Sequence, residues 1–162
     1  MYRIAILTSS DKGAAGLRED RSGPVIAAAL QSLGDIVATA IVPDERHLIA
    51  DQLRQWADQD QVDLILTTGG TGLSPRDITP EATLDVIDRL VPGIPEAIRA
   101  NSLTITNRAM LSRATAGTRG RTLIINLPGS PRAVEECLAV IEPVLPHALA
   151  ILTAREGECA RP

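Results

Sequence analysis

The sequence predicts an α/β domain in which a mostly parallel sheet carries helices on both faces. Short apolar runs typical of buried strands alternate with segments whose apolar residues follow helical spacing. Glycine-containing loops join strands to the helices that follow, as expected for right-handed strand-helix-strand units. The 162 residues include no repeat or linker, so we predict one domain over residues 1–154 and a disordered tail over 155–162.

The first part of the chain predicts two strands separated by a helix. Residues 3–8 form an apolar run that indicates a buried strand. A polar loop follows, and Pro24 suits the first turn of a helix that ends near Gly34. Residues 35–42, which are rich in β-branched side chains, predict the second strand.

The middle of the chain predicts a helix, a strand and another helix. Residues 47–57 place Leu48, Ile49, Leu53 and Trp56 at helical spacing. Residues 62–67 form an apolar run typical of a strand. After a glycine-rich loop, Thr79 and Pro80 are expected to cap and open a helix that continues to about residue 90.

The last part of the chain predicts one helix over residues 93–110 and strands over 113–116 and 122–126. A proline-glycine turn then leads to a final helix with Pro131 in its first turn. Pro143 and Pro146 are expected to bend or interrupt that helix.

Composition excludes several classes of function. The net charge is -4, and the aromatic residues are Tyr2 and Trp56 alone, so neither a basic surface nor stacking rings are available for nucleic acid. No apolar stretch reaches the ~20 residues of a membrane span. No signal peptide precedes the first strand, which predicts a cytoplasmic protein.

The candidate binding element is the loop that contains Gly69, Gly70, Thr71 and Gly72. Glycines allow a ligand to approach the backbone closely, and exposed N–H groups before a helix form a cradle for an anion such as phosphate. The loop matches neither common phosphate-loop pattern, because Lys12 is the only lysine and the glycine spacing differs from that of dinucleotide-binding loops. The alternative is a tight turn that only connects the strand to the helix.

Two aspartates are candidates for metal binding. Asp77 follows the glycine loop, where it could either interact with the dipole of the next helix or hold Mg²⁺ beside a phosphate. The residues alone leave these two roles even. Asp44 follows the second strand and could cap the next helix or supply a second carboxylate, a role that the neighbouring Glu45 could also fill.

Two further segments carry polar groups near predicted strand ends. The turn formed by Pro128, Gly129 and Ser130 precedes a helix, and we expect Ser130 to cap it, with a contact to ligand phosphate as the alternative. Ser112 and Arg113 offer a hydroxyl group and a cation.

Several of these segments together resemble the MogA/MoaB family of molybdenum-cofactor biosynthesis proteins. The longest matching motif is TTGGTGLSPRDITPEAT at residues 67–83, which is highly specific. Shorter matches are SSDK at 9–12, VPDE at 42–45, PG at 92–93, LSRA at 111–114 and NLPGSP at 126–131. They occur in the family's order and span nearly the whole chain.

The resemblance implies a three-layer α/β/α domain that assembles as a trimer or hexamer. It also implies a molybdopterin adenylyltransferase, which transfers AMP from Mg-ATP to molybdopterin, or a MoaB-type relative that binds molybdopterin without this activity. A molybdate-inserting protein would act downstream. By the same resemblance, Asp44 and Asp77 are the catalytic and metal-binding residues. The implied ligand-binding residues are Gly69, Gly70, Thr71, Gly72, Ser112, Pro128, Gly129 and Ser130.

Overall fold

A computed structural model describes residues 1–154 of the chain. The tail predicted at residues 155–162 lies outside the described residues. The strands are β1 (Tyr2–Ser9), β2 (Gly34–Val42), β3 (Leu64–Thr68), β4 (Arg89–Leu90), β5 (Ala116–Arg119) and β6 (Thr122–Leu127). The helices are α1 (Asp11–Ala14), α2 (Ser22–Ala29), α3 (Arg46–Arg54), α4 (Thr79–Leu84), α5 (Gly93–Leu103), α6 (Pro131–Ile141) and α7 (Leu145–Leu152).

The strands form one mixed sheet in the order β2-β1-β3-β6-β5-β4. The pairs β2/β1, β1/β3 and β3/β6 are parallel, whereas β5 is antiparallel to both of its neighbours. The carboxyl ends of the four parallel strands therefore meet at one edge of the sheet. The loops that follow these strands carry most of the residues predicted to bind a ligand.

Helices cover both faces of the sheet, because alternate residues of each buried strand point to opposite sides. On one face, Ile4 and Ile6 of β1 pack in a core with α2, α5, α6 and α7. On the other face, Ala5 and Leu7 pack in a core with α3 and α4. The predicted three-layer α/β/α fold with a mostly parallel sheet is confirmed.

The sequence was wrong about where the helix beginning at Thr79 ends. It stops at Leu84, six residues early, and the chain pairs with β5 instead, since the Asp88 amide donates to Thr118 O at 2.7 Å. This pairing forms the edge strand β4. Thr79 does not cap the helix, because the capping position is Ile78 and no side chain there accepts a hydrogen bond.

The helix predicted over residues 93–110 is broken after Leu103. Thr104, Ile105 and Thr106 are all β-branched, which lowers helix propensity, and the Thr106 side chain instead caps a 3₁₀ helix at Asn107–Leu111. The strand predicted at 113–116 begins at Ala116, because the backbone before it is directed toward the glycine loop.

The remaining boundaries agree closely with the sequence. The helix predicted over 47–57 is α3, extended by a π-helical turn at Gln55–Gln59. The last predicted helix is interrupted between Ile141 and Leu145, at the position of Pro143, to give α6 and α7. None of the helices within residues 1–154 is long and apolar enough to cross a bilayer.

Candidate functional site

A cavity of about 610 Å³ opens where the parallel strands end. The ends of β1 and β3 line it, together with the loops that follow β1, β2, β3 and β6. Ligands of open α/β sheets bind at this position. Five of the predicted site residues are in its lining: Asp44, Gly69, Gly70, Asp77 and Gly129.

The backbone of the glycine loop adopts a conformation that glycine residues favour. Gly69 and Gly70 have φ angles of +91° and +67°, in the left-handed region that favours glycine. A Cβ atom on Gly69 would lie 2.4 Å from the carbonyl oxygen of Ser9, and one on Gly70 would lie 2.3 Å from the Thr79 hydroxyl. The loop therefore packs tightly against the end of β1 and the start of α4.

Most amides of this loop have no acceptor among the described residues. The Gly69 N–H donates to Leu127 O at 3.2 Å, which joins the loop to the end of β6. By contrast, the N–H groups of Gly70, Thr71 and Gly72 donate to no acceptor within residues 1–154. Consecutive free amides of this kind can bind phosphoryl oxygens.

Asp77 is fixed at the far end of the loop. One of its carboxylate oxygens accepts a hydrogen bond from the Ser74 N–H at 2.9 Å. The same oxygen is 2.8 Å from where a Cβ on Gly72 would lie, so the carboxylate rests directly against the loop backbone. Asp77 therefore lies beside the free amides.

Asp44 does not cap α3, because the capping position is Glu45 and its side chain makes no capping bond. Its carboxylate instead accepts hydrogen bonds from the Ser9 hydroxyl at 2.6 Å and from the Asp11 N–H at 2.9 Å. One carboxylate oxygen is 3.4 Å from the position of a Cβ on Gly70. Asp44 and Asp77 thus approach the glycine loop at different residues.

An ion-pair cluster connects the segments that carry these two aspartates. Arg76 donates two hydrogen bonds to the Asp11 carboxylate, at 2.9 and 3.0 Å, and one to the Glu45 carboxylate at 2.9 Å. Hydrogen bonding from Arg76 lowers the pKa of Asp11, with a further contribution from the Asp44 amide. Glu45 therefore pairs with Arg76, and neither residue lines the cavity.

The other predicted residues do not line the cavity. Thr71 is buried, and its carbonyl oxygen accepts from the Arg113 N–H at 3.0 Å. Ser112 accepts from the Ala114 N–H at 3.3 Å. Ser130 is the capping residue of α6, but its side chain makes no capping hydrogen bond. Gly72 and Pro128 complete this group.

The structure adds cavity residues that the sequence did not single out. Asp20 accepts hydrogen bonds from the Thr8 hydroxyl at 2.7 Å and from the N–H groups of Ser22 and Gly23, each at 3.0 Å. The Ser22 hydroxyl donates to Gly129 O at 2.8 Å. An acidic residue just before a helix start was the available signal for Asp20. Further lining residues are Ser9, Ser10, Gly13, Arg18, Glu19, Arg21, Thr68 and Pro131.

The carboxylates suit a magnesium ion that shares its ligands with a phosphate. Within residues 1–154, no three His, Cys, Asp or Glu side chains cluster so as to hold a metal ion. Mg²⁺ commonly uses one or two carboxylates and completes its octahedral shell with phosphate oxygens and water. Asp44 and Asp77 both line the cavity, which therefore offers two carboxylates.

The fold and the cavity define an α/β/α domain of the class that binds phosphorylated ligands at strand carboxyl ends. Residues 5–147 match the family model described as "Probable molybdopterin binding domain". The chain belongs to this family, the MogA/MoaB proteins of molybdenum cofactor biosynthesis.

Relatives of similar length support the assignment. The molybdopterin adenylyltransferase of Helicobacter pylori is 43% identical over 152 residues, which cover 92% of this chain and 86% of that protein. The structure of the molybdopterin biosynthesis enzyme MoaB from Thermus thermophilus is 52% identical, with a TM-score of 0.89. The match covers 95% of this chain and 98% of that one.

Longer relatives contain the domain as one part. The chain spans only 25% of the Drosophila melanogaster molybdenum cofactor synthesis protein cinnamon and 23% of Dictyostelium discoideum gephyrin. Each is 42% identical to this chain over the aligned region.

Proposed function

We propose that the protein is a cytoplasmic molybdopterin adenylyltransferase. It transfers AMP from Mg-ATP to the terminal phosphate of molybdopterin and releases pyrophosphate. The observation that carries this proposal is that Asp44 and Asp77 line one cavity beside the unpaired amides of the glycine loop. Membership of the MogA/MoaB family supplies the substrates.

In this proposal the glycine loop binds phosphoryl oxygens. The N–H groups of Gly70, Thr71 and Gly72 donate to them, and their orientation is set before the ligand arrives because the loop is held at both ends. Preorganised donors of this kind stabilise charge that develops during transfer. The Ser130 hydroxyl, which makes no capping bond, is free to contact a second phosphate.

Asp44 and Asp77 would hold Mg²⁺, which when bound neutralises phosphate charge and makes the α-phosphorus more susceptible to attack. A terminal phosphate oxygen of molybdopterin attacks that phosphorus, the bond to the β-phosphate oxygen breaks, and pyrophosphate leaves. The attacking oxygen is already anionic, so no general base is required. The protein contributes mainly orientation and charge stabilisation.

A MoaB-type protein that binds molybdopterin without adenylylating it is the second candidate. The 52% identity to the Thermus thermophilus MoaB favours it. The pair of carboxylates in the cavity favours the enzyme, because pterin binding alone does not require two acidic side chains beside a phosphate.

The deciding experiment incubates the purified protein with molybdopterin, ATP and Mg²⁺ and detects products by mass spectrometry. The enzyme predicts adenylylated molybdopterin and pyrophosphate, and both should disappear when Mg²⁺ is chelated. A protein that binds molybdopterin but forms neither product would be of the MoaB type. Failure to bind molybdopterin at all would reject both candidates.

A further inference from the structure

Arg113 contacts the glycine loop from outside the cavity. Its side chain donates from Nε to Gly72 O at 2.7 Å and from Nη2 to Asp77 O at 2.6 Å. Its backbone N–H donates to Thr71 O at 3.0 Å. One residue thus binds three carbonyl groups of the loop, two at its start and one at its end.

The remaining nitrogen of this guanidinium is anchored on a helix. Arg113 Nη1 pairs with the carboxylate of Glu81, in the first turn of α4. The two side chains are 34% and 30% exposed, so solvent screens this pair less than a fully exposed one. Because a guanidinium is planar with donors in a fixed fork, anchoring Nη1 also fixes the directions of Nε and Nη2.

Apart from Arg113, the middle of the loop is tied to the rest of the protein by the ion pairs of Arg76 with Asp11 and Glu45. Leu73, Ser74, Pro75 and Arg76 are exposed. Within it, the Ser74 N–H bonds the Asp77 carboxylate, and the Asp77 N–H bonds Ser74 O. These bonds close a local turn but do not fix its position relative to the rest of the protein. The Arg113 bonds hold the backbone of the turn at both ends, at Gly72 and Asp77, and connect it to α4. The ion pairs of Arg76 hold only a side chain that is 52% exposed.

We propose that Arg113 is a positioning residue that holds the free amides and the Asp77 carboxylate in the geometry needed for transfer. The effect of Arg113 on AMP transfer rests on the proposed function. The immobilisation of residues 72–77 by Arg113 is inferred only from its hydrogen bonds to Gly72 O and Asp77 O. Arg113 touches no substrate in this account and acts only through the loop.

The test compares Arg113→Lys with a matched control, Arg119→Lys. Arg119 is also partly buried, pairs with the Asp58 carboxylate and donates to Val86 O at 2.8 Å, but it lies at the other end of β5 from the loop. Lysine keeps the charge at each position and loses the fork. Both variants should therefore lose similar numbers of side-chain hydrogen bonds. Only Arg113→Lys should affect the glycine loop.

The first readout is amide hydrogen exchange, measured by mass spectrometry on peptides that cover residues 69–80. The hydrogen-bonded amides there are those of Ser74, Arg76, Asp77 and Thr79, besides that of Gly69, which bonds Leu127 O. In Arg113→Lys their exchange should be at least about tenfold faster, as expected for loss of charge-assisted hydrogen bonds, while other peptides and those of Arg119→Lys keep wild-type rates. Unchanged loop exchange would overturn the proposal. So would general unfolding confined to Arg113→Lys, because Arg113 would then serve the fold.

The second readout is the rate of AMP transfer. Arg113→Lys should reduce kcat by roughly a hundredfold while KM for ATP changes less than about threefold, since a small misplacement affects the transition state most. Arg119→Lys should match the wild type. If loop exchange rises and kcat does not fall, the positioning role is wrong. If wild-type protein transfers no AMP, the proposed function fails, while the exchange measurement still decides whether Arg113 immobilises the loop.

Discussion

Asp44 and Asp77 are held in different ways, and the difference matters for experiments on each residue. Asp44 accepts bonds from Ser9 and Asp11, so its loss also disturbs the end of β1. Within residues 1–154, the Asp77 carboxylate accepts one hydrogen bond, from the Ser74 N–H, so Asp77 is the cleaner position for separating activity from stability.

Asp77→Asn removes the charge and keeps an oxygen that can accept from Ser74. We expect AMP transfer to fall by roughly a hundredfold or more, because Asp77 is proposed to hold Mg²⁺ and the bound ion would contribute several kcal/mol of charge stabilisation. Asp88→Asn is the control, since the Asp88 carboxylate also accepts from one backbone amide, that of Gly120, at 2.8 Å. Equal activity in the two variants would show that the Asp77 carboxylate takes no part in AMP transfer.

Gly72→Ala tests the contact between the loop and Asp77. The new Cβ would lie 2.8 Å from the Asp77 carboxylate oxygen and must displace it. We expect transfer to fall by about tenfold or more, with an unfolding free energy changed by less than about 1 kcal/mol. Gly93→Ala, whose Cβ would meet nothing within 4 Å, should leave transfer unchanged. Wild-type activity in Gly72→Ala would show that the carboxylate position is unimportant.

The sequence identified the glycine loop and both aspartates because each follows a strand end with a recognisable motif. It explained the glycines of the loop, Gly70 included, by the close approach of a ligand to the backbone. The structure directs a Cβ at Gly70 toward the Thr79 hydroxyl instead. Such contacts between distant residues cannot be derived from local sequence, which is also why Asp20 and the bonds of Arg113 were missed.

A buried side-chain amide connects the secondary-structure elements that surround the glycine loop. Asn126 is 1% exposed, and its Nδ2 donates to the hydroxyl groups of Thr67 and Thr83, each at 2.9 Å. Its carbonyl oxygen accepts from the Thr115 N–H at 3.2 Å. One side chain thus joins β3, β6, α4 and the segment before β5.

Asn126→Ala should reduce the free energy of unfolding by about 3 kcal/mol, because three buried hydrogen bonds are lost and their partners stay buried. Urea unfolding measures this change. Asn101→Ala on the exposed side of α5 is the control and should stay within about 0.5 kcal/mol of the wild type. A loss below about 1 kcal/mol for Asn126→Ala would mean that water replaces the amide.

The ion pairs of Arg76 make the stability of the protein depend on pH. The pKa of Asp11 is lowered below 3.8 in the folded state, so its contribution to stability is complete above that pH. The contribution of Asp11 is lost as the pH falls further, through the pKa that Asp11 has in the folded state. The stability difference between wild type and Asp11→Asn, measured by urea unfolding, should therefore be constant from about pH 7 to 5 and shrink toward about pH 3. A difference that grows on acidification would contradict the assigned direction.

Element types were more predictable than their boundaries. Apolar runs located the four parallel strands and the helices beside them, because burial on a sheet face leaves a strong pattern. The two-residue strand β4 and the displaced start of β5 were not predictable, because both depend on pairing between segments that are distant in sequence. Tertiary pairing outweighed the helical pattern after Leu84.

The edge of the sheet brings together loops from four strands to form one cavity. The predicted trimeric or hexameric assembly stays a prediction. Large apolar side chains are exposed close together in sequence at Leu103, Ile105, Met110 and Leu111, each at least 41% exposed in the single chain. Surfaces of this kind are often covered by a partner.

In the proposed function, this cavity transfers the AMP group of ATP, with its α-phosphorus, to molybdopterin. The most direct measurement runs parallel reactions with ATP labelled at the α- or the γ-phosphate and follows the label into purified molybdopterin. We predict that the α-label appears on molybdopterin in the presence of Mg²⁺ and that the γ-label is released in pyrophosphate. Transfer of the γ-label, or of neither label under conditions in which both substrates bind, would contradict the account.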